Sequence, residues 1–243
     1  MSLVKCAPSA AEVTEQIQNG GVAGGGLGLV DDPFLYEEDV ELSRLPRLAL
    51  SRGLFVDALV SHVYGPENLY AQPFAYEPFA KRLSLELNDF YKLLEEDELP
   101  LNGAFLSRQQ GQWCAAHWRN DDWWYRAKYV ERVSPSSVRV LFVDFGNTDV
   151  VAISDCRRLI RYFAAVPPMA LALADSRAGH VDRERYADAV ADKVVVLQMD
   201  EALADGRHSA ELFKHQPVGT HVSLSRLLLQ KQFRHLHKSE SLS

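Results

Sequence analysis

Apolar positions recur along this chain at two different periods, and the change of period divides it. From residue 77 the stretch EPFAKRLSLELNDFYKLLEED sets Phe79, Leu83, Leu87, Phe90 and Leu94 at steps of four, four, three and four. A helix turns once in about 3.6 residues, so this spacing lines one face and predicts an amphipathic helix. The acidic run Glu95–Glu98 and Pro100 end it. Its apolar stripe needs a partner, and the C-terminal run LSRLLLQ is the expected one. Ahead of the helix, two β-rich runs at 54–64 and 69–72 flank Gly65-Pro66, which reads as a strand pair about a turn.

From Gly111 to Ile153 the period falls to two. QWCAAHW, WWYRAKYVERV, SVRVLFVDF and TDVVAI are separated by polar turns at Arg119–Asp122, Ser134–Ser137 and Gly146–Asn147. Four or five short strands with tight turns predict a small antiparallel barrel. Beyond it, RERYADAVADKV reads as a second helix, VVLQM and HSAELFK as strands, and SLSRLLLQKQF as a closing helix. The flanking segments are each too thin to bury a core alone. They are expected to pack together as one lobe with the barrel inserted between them, giving an α+β, mainly β fold.

Six of the nine residues from Gly20 to Gly28 are glycine, with no phosphate-loop lysine nearby, so residues 1–46 are expected to be a flexible tail. A second short tail is expected at 236–243. The 243 residues are 47% apolar, enough for a substantial core, and carry a formal charge of −7. That balance argues against direct nucleic-acid binding through the phosphate backbone and favours a basic partner. Cys6, Cys114 and Cys156 lie far apart without a C-x-x-C pair, which points to a reducing compartment and no structural zinc. No apolar run approaches a membrane span, so a cytoplasmic protein that uses no membrane is expected.

LFVDFGNTDVV contains the Asp-Phe-Gly of protein kinases, yet the parts that make that Asp a metal ligand are missing in order: the H-R-D loop, the V-A-I-K lysine and the glycine loop. The aromatic residues around it suggest other chemistry. All four tryptophans fall between residues 113 and 124. Strand alternation puts Cys114, Ala116 and Trp118 on one face, with Tyr125, Ala127 and Tyr129, and then Val138, Val140 and Phe142, on others. Small inner residues followed by an aromatic at a strand end describe a narrow barrel with aromatics at its rim. Trp118, Tyr125 and Phe142 are those rim residues. Phe145 and Asn147 follow at the turn. Four rings and an amide suit a bulky cation, because ring faces carry negative quadrupole charge and the amide oxygen accepts an N–H. From the residues alone, the same rings could equally fill a core.

GQWCAAHW, WWYRAKYV and VRVLFVDFGNTDVV resemble the Tudor domain, with its G-x-x-C-x-A strand, WYRA strand and F/Y-x-D-Y/F-G-N strand. VDALVSHVYGPENLYAQ before them and AELFK with VGTHVSLSRLLLQKQ after them resemble the extended Tudor form over about residues 52–233. The resemblance implies an extended Tudor domain over 47–235. A staphylococcal-nuclease-like, OB-type lobe (52–98 and 167–233) would be joined by a long helix to a Tudor barrel at about 103–160. It implies a methylarginine-binding cage of Trp118, Tyr125, Phe142 and Phe145, oriented by Asn147, with Asp144 steadying the turn. The ligand implied is symmetric dimethylarginine in the arginine-rich tail of a PIWI-type Argonaute. The implied role is a non-enzymatic adapter in small-RNA (piRNA) silencing, without cofactor, in cytoplasmic germ granules. Trp118 stands where Phe or Tyr is usual, Phe145 replaces the commoner Tyr, and the RNDDW hairpin is one residue longer. Strict selection for the symmetric isomer therefore stays open, as does binding of unmethylated arginine-rich peptide. A nuclease reading would need paired carboxylates and arginines converging on phosphate. The sequence offers no such set, and His62, His117, His180 and His221 are scattered singly.

Overall fold

A computed structural model describes residues 50–95, 98–101, 105, 111–179, 181–215 and 222–230. The expected tails at 1–46 and 236–243, with the glycine-rich stretch, lie outside the described residues. In chain order the elements are β1 (Phe55–Gly65), β2 (Asn68–Pro73), α1 (Glu77–Lys92), β3 (Trp113–Trp118), β4 (Trp123–Ser134), β5 (Ser137–Phe142), β6 (Thr148–Ala152), β7 (Cys156–Arg158) and α2 (Arg161–Ala164). There follow β8 (Leu171–Asp175), α3 (Arg183–Val190), β9 (Val194–Ala202), β10 (His208–Lys214), β11 (Val222–Ser223) and a helical turn at 224–230, α4. The protein is mainly β.

The chain divides into two compact units. Among the described residues, one gathers those within 82–142 and 147–167; the other gathers those within 50–81, 143–146 and 168–230. The first holds a five-stranded antiparallel sheet in the order β6-β5-β4-β3-β7. Its inner face carries Cys114, Ala116, Ala127, Val138, Val140 and Cys156, all fully buried. Small residues on β3 face β4, Cys114 opposite Ala127 and Ala116 opposite Tyr125, so the strands can curl tightly around the β-branched residues of β5.

The outer face is buried too. Trp124 stacks on Tyr91 of α1, with centroids 5.3 Å apart and planes 27° from parallel. The Tyr91 hydroxyl donates to the Arg158 carbonyl (2.8 Å) and accepts from the Ile160 N–H (3.1 Å). The Asn88 side-chain amide bonds both the N–H and the C=O of Trp124 (2.8 and 3.1 Å). These contacts correct two expectations. The buried line of α1 is Leu83, Leu87 and Tyr91 with Asn88, while Phe79 is 65% exposed and Tyr91 only 1%. The stripe's partner is β4 and Phe163, not the C-terminal run, whose Leu224, Leu228 and Leu229 pack on the core of the other unit.

That other unit closes on itself. Hydrogen bonding runs β10-β8-β2-β1-β9, and β9 pairs back to β10, which makes a five-strand barrel with β11 added at β10. All pairs are antiparallel except β8 with β10. Alternating residues of each strand fill it, among them Val60, Leu69, Leu173, Leu197 and Leu212, with Tyr186 of α3. Strand β8 has no counterpart among the strands read from sequence.

Candidate functional site

The β3–β4 turn and the end of β5 bring three of the expected residues together. Trp118 closes β3, Tyr125 lies opposite Ala116 on β4, and Phe142 lies opposite Ala127. Alanine across from Tyr125 and Phe142 leaves room for those rings, while Trp118 faces Trp123. The Trp118 and Phe142 centroids are 5.6 Å apart with planes at 88°, and those of Tyr125 and Phe142 are 5.7 Å apart at 77°. Both pairs are edge-to-face, the arrangement ring quadrupoles favour. The rings therefore stand as walls around Phe142 rather than in a stack. Trp118 and Tyr125 are half-buried, but Phe142 is only 3% exposed. This corrects the expectation that Phe142 belongs to the rim: its ring is buried.

Asn147 comes just before the return strand β6 and is 9% exposed. Its carbonyl accepts the Phe142 N–H at 2.9 Å, which ties its backbone to the end of β5. Between them, Val143–Gly146 belongs to the six-stranded unit. Gly146 has φ +93°, and a Cβ there would run into the Tyr70 ring, so no other residue fits without displacing it. The Asp144 carboxylate accepts the Met169 N–H at 2.9 Å. The Asp144 carbonyl accepts from the Gln72 amide, and the Phe145 carbonyl accepts from the Ser61 hydroxyl at 2.7 Å. Asp144 thus steadies the turn, as expected. Phe145 is half-buried.

Acidic groups cluster on the β3–β4 turn. Asp121 accepts from the Tyr125 hydroxyl (2.6 Å) and from the Trp123 N–H (3.1 Å). Asp122 meets His117 at 2.9 Å and Lys92 at 3.7 Å. Two of the four tryptophans have structural work. Trp113 lies under Lys128 (4.9 Å) and Arg126 (6.0 Å), and Trp124 stacks on Tyr91.

Sequence reasoning missed a polar group inside the six-stranded unit. Asp175, on β8, takes the Ser225 hydroxyl (2.5 Å) and the Tyr186 hydroxyl (2.9 Å) on Oδ2, and the Arg177 N–H on Oδ1 (3.0 Å). Burial lifts its carboxyl above the usual range, partly offset by those donors, and burial likewise pushes the Tyr186 phenol up. Glu211 is buried between Arg177 (3.4 Å) and Arg226 (3.7 Å). Two carboxylates and two arginines do meet here. Both Asp175 oxygens, however, are occupied by donors from the fold itself, which makes it a core network. Burial raises both thiols of the five-stranded sheet, Cys156 to about 12 and Cys114 well above the ordinary value, so neither is a nucleophile at neutral pH.

A Tudor domain family model matches residues 50–174. RING finger protein 17 of Mus musculus is 28% identical over 172 residues, 68% of this chain and 10% of that protein, so the chain spans about a tenth of that relative's length. The human TDRD1 extended Tudor domain, solved with a symmetrically dimethylated peptide, superposes with a TM-score of 0.67 at 23% identity and covers 79% of this chain and 96% of that one. Extended Tudor domain TD3 of mouse TDRD1, solved with a MILI peptide containing dimethylarginine 45, gives 0.64 at 20% identity over 77% and 96%. At these identities the likeness is one of fold.

Proposed function

We propose that this chain, which belongs to the Tudor domain family, binds methylated arginine in an arginine-rich protein tail, with Trp118, Tyr125, Phe142 and Phe145 as the rings of the cage and Asn147 as its orienting amide. The observation that carries the reading is the three-ring group. Two half-exposed aromatics stand edge-on to a buried third, at the end of a sheet whose interior is, apart from Tyr129, mainly small and aliphatic. Rings needed only as filling would pack inward with the rest of that face. Each well-placed ring contributes roughly 0.5–2 kcal/mol to a cation, more as it is desolvated. Methyl groups on a guanidinium reduce its hydration and add apolar surface against the rings. Symmetric placement still leaves one N–H on each terminal nitrogen for the amide.

The tail is that of a PIWI-type Argonaute, and the chain acts as an adapter in small-RNA silencing within cytoplasmic germ granules. Support for this comes from the Tudor-family relatives and from fold neighbours solved with dimethylarginine peptides. The test is calorimetric titration with one arginine-glycine peptide in unmodified, asymmetric and symmetric dimethylated forms. The expected order of affinity is symmetric, asymmetric, unmodified. Equal affinities would overturn methylarginine reading and leave a scaffold for unmethylated arginine-rich peptide.

A further inference from the structure

The turn joining β3 to β4 holds a carboxylate whose two oxygens are both engaged locally. Asp121 Oδ1 accepts the Trp123 N–H, and Oδ2 accepts the Tyr125 hydroxyl at 2.6 Å. The turn itself is set by the Trp118 carbonyl, which accepts the N–H of both Asp121 (3.4 Å) and Asp122 (2.9 Å), with Asp122 at φ +61°. The Asp121 side chain is therefore fixed by its own backbone, and it grips the far end of a ring four residues along. A tyrosine held only at Cβ can swing about two side-chain torsions; a second anchor at the hydroxyl removes most of that freedom. The ring so held is the one standing at 77° to Phe142.

We propose that Asp121 is a positioning residue for the methylarginine site: it locks Tyr125 in the wall orientation before any ligand arrives. The proposal rests on the function proposed above. Its physical content is preorganisation, since a ring already in place loses no rotamer freedom on binding. The RNDDW hairpin supplies this carboxylate.

The experiment is a double-mutant cycle with a conservative control, using the symmetric dimethylarginine peptide. Asp121→Ala should weaken binding roughly three- to tenfold in the wild-type background and less than about twofold in Tyr125→Phe, because without the hydroxyl there is nothing to hold. Asp121→Asn should stay near wild type, since an amide can accept from the Trp123 N–H and donate to the phenol oxygen. In protein carrying 3-fluorotyrosine, the Tyr125 fluorine resonance should move and broaden in Asp121→Ala and hold in Asp121→Asn. Equal losses for Asp121→Ala in both backgrounds would overturn the proposal, and so would an Asp121→Asn loss as large as that of Ala, which would assign the effect to charge. An unmoved fluorine resonance would also overturn it. Wild-type protein that fails to distinguish the three peptides would remove the proposed function itself. A lost cycle in protein that does distinguish them removes only the role of Asp121.

Discussion

Arg126 on β4 is 2% exposed and donates to three backbone carbonyls: Nη1 to those of Phe163 (2.9 Å) and Val166 (2.6 Å), and Nη2 to that of Pro167 (2.9 Å). Those three carbonyls lie in α2 and the turn after it, so one side chain ties a segment some forty residues away onto the sheet. Arg126→Met removes the charge and keeps the apolar stem. Hydrogen bonds from a charged donor contribute roughly 1.5–3 kcal/mol each, and a carbonyl left buried without a partner costs about 1–3 kcal/mol. Against this, burying the guanidinium costs several kcal/mol, so the gross sum is not the expected loss. Breaking a buried ionic arrangement by removing one side typically costs about 3–5 kcal/mol, and part of that returns here because the three partners named are neutral carbonyls. The expected destabilisation of Arg126→Met is therefore about 2–4 kcal/mol, or a melting-temperature drop of roughly 4–16 °C for a protein of this size. Equilibrium urea unfolding is the measurement, with the change appearing in the midpoint at unchanged slope. Arg126→Lys should recover only part of it, since an ammonium cannot span the fork. Stability within about 0.5 kcal/mol of wild type in the methionine variant would show that desolvation cancels the three bonds and that the reasoning is wrong.

Phe145→Ala and Asn147→Ala separate cage from core. Each should weaken methylated-peptide binding, the amide loss by roughly five- to thirtyfold, with little change in melting temperature; a large melting drop with binding intact would make the rings core. Gly146→Ala should destabilise by more than about 1 kcal/mol through its left-handed backbone alone, and further because Tyr70 must move; an unchanged melting curve would contradict the packing of that turn. For Asp175 the folded pKa lies above the unfolded one, so the folded state binds the extra proton. Its stabilisation is fully present below the unfolded value near about 4 and is lost as pH rises through the folded value. Urea melts of wild type and Asp175→Asn from acid to neutral pH should show wild type losing ground to the variant as pH rises, and the opposite slope would refute the direction.

Where the chain makes its contacts locally, the sequence displayed them. WWYRAKYVERV alternates and is bounded by turn residues, and it forms β4 with the neighbours expected, while HSAELFK matches β10 residue for residue. The three rings could be placed because strand alternation and the turn positions were both legible. What stayed hidden depends on partners distant in the chain. Tyr91 and Asn88 count as polar in a periodicity, so the face of α1 was drawn through Phe79 instead; the true face is chosen by the backbone of Trp124. Arg126 looks like a solvent-facing charge until the carbonyls of 163–167 arrive. Strand β8, LALAD, has alanines where branched residues would announce a strand, and its inward aspartate breaks the apolar pattern. Phe142 looked like rim because its place at a strand end was visible, whereas its depth was not.

Asn88 also does something for the protein before and outside any binding event. The β5 ladder on β4 begins only at Ala127, so among the described residues the N–H and C=O of Trp124 on that side have no strand beside them. An open edge of this kind, in a stretch as apolar and aromatic as WWY, is a template on which another chain can add as a strand. The carboxamide of Asn88 occupies both groups at once, as a neighbouring strand would. Docking of α1 thereby plugs a sticky edge. The chain is most prone to self-association in the interval of synthesis or refolding before that helix has settled.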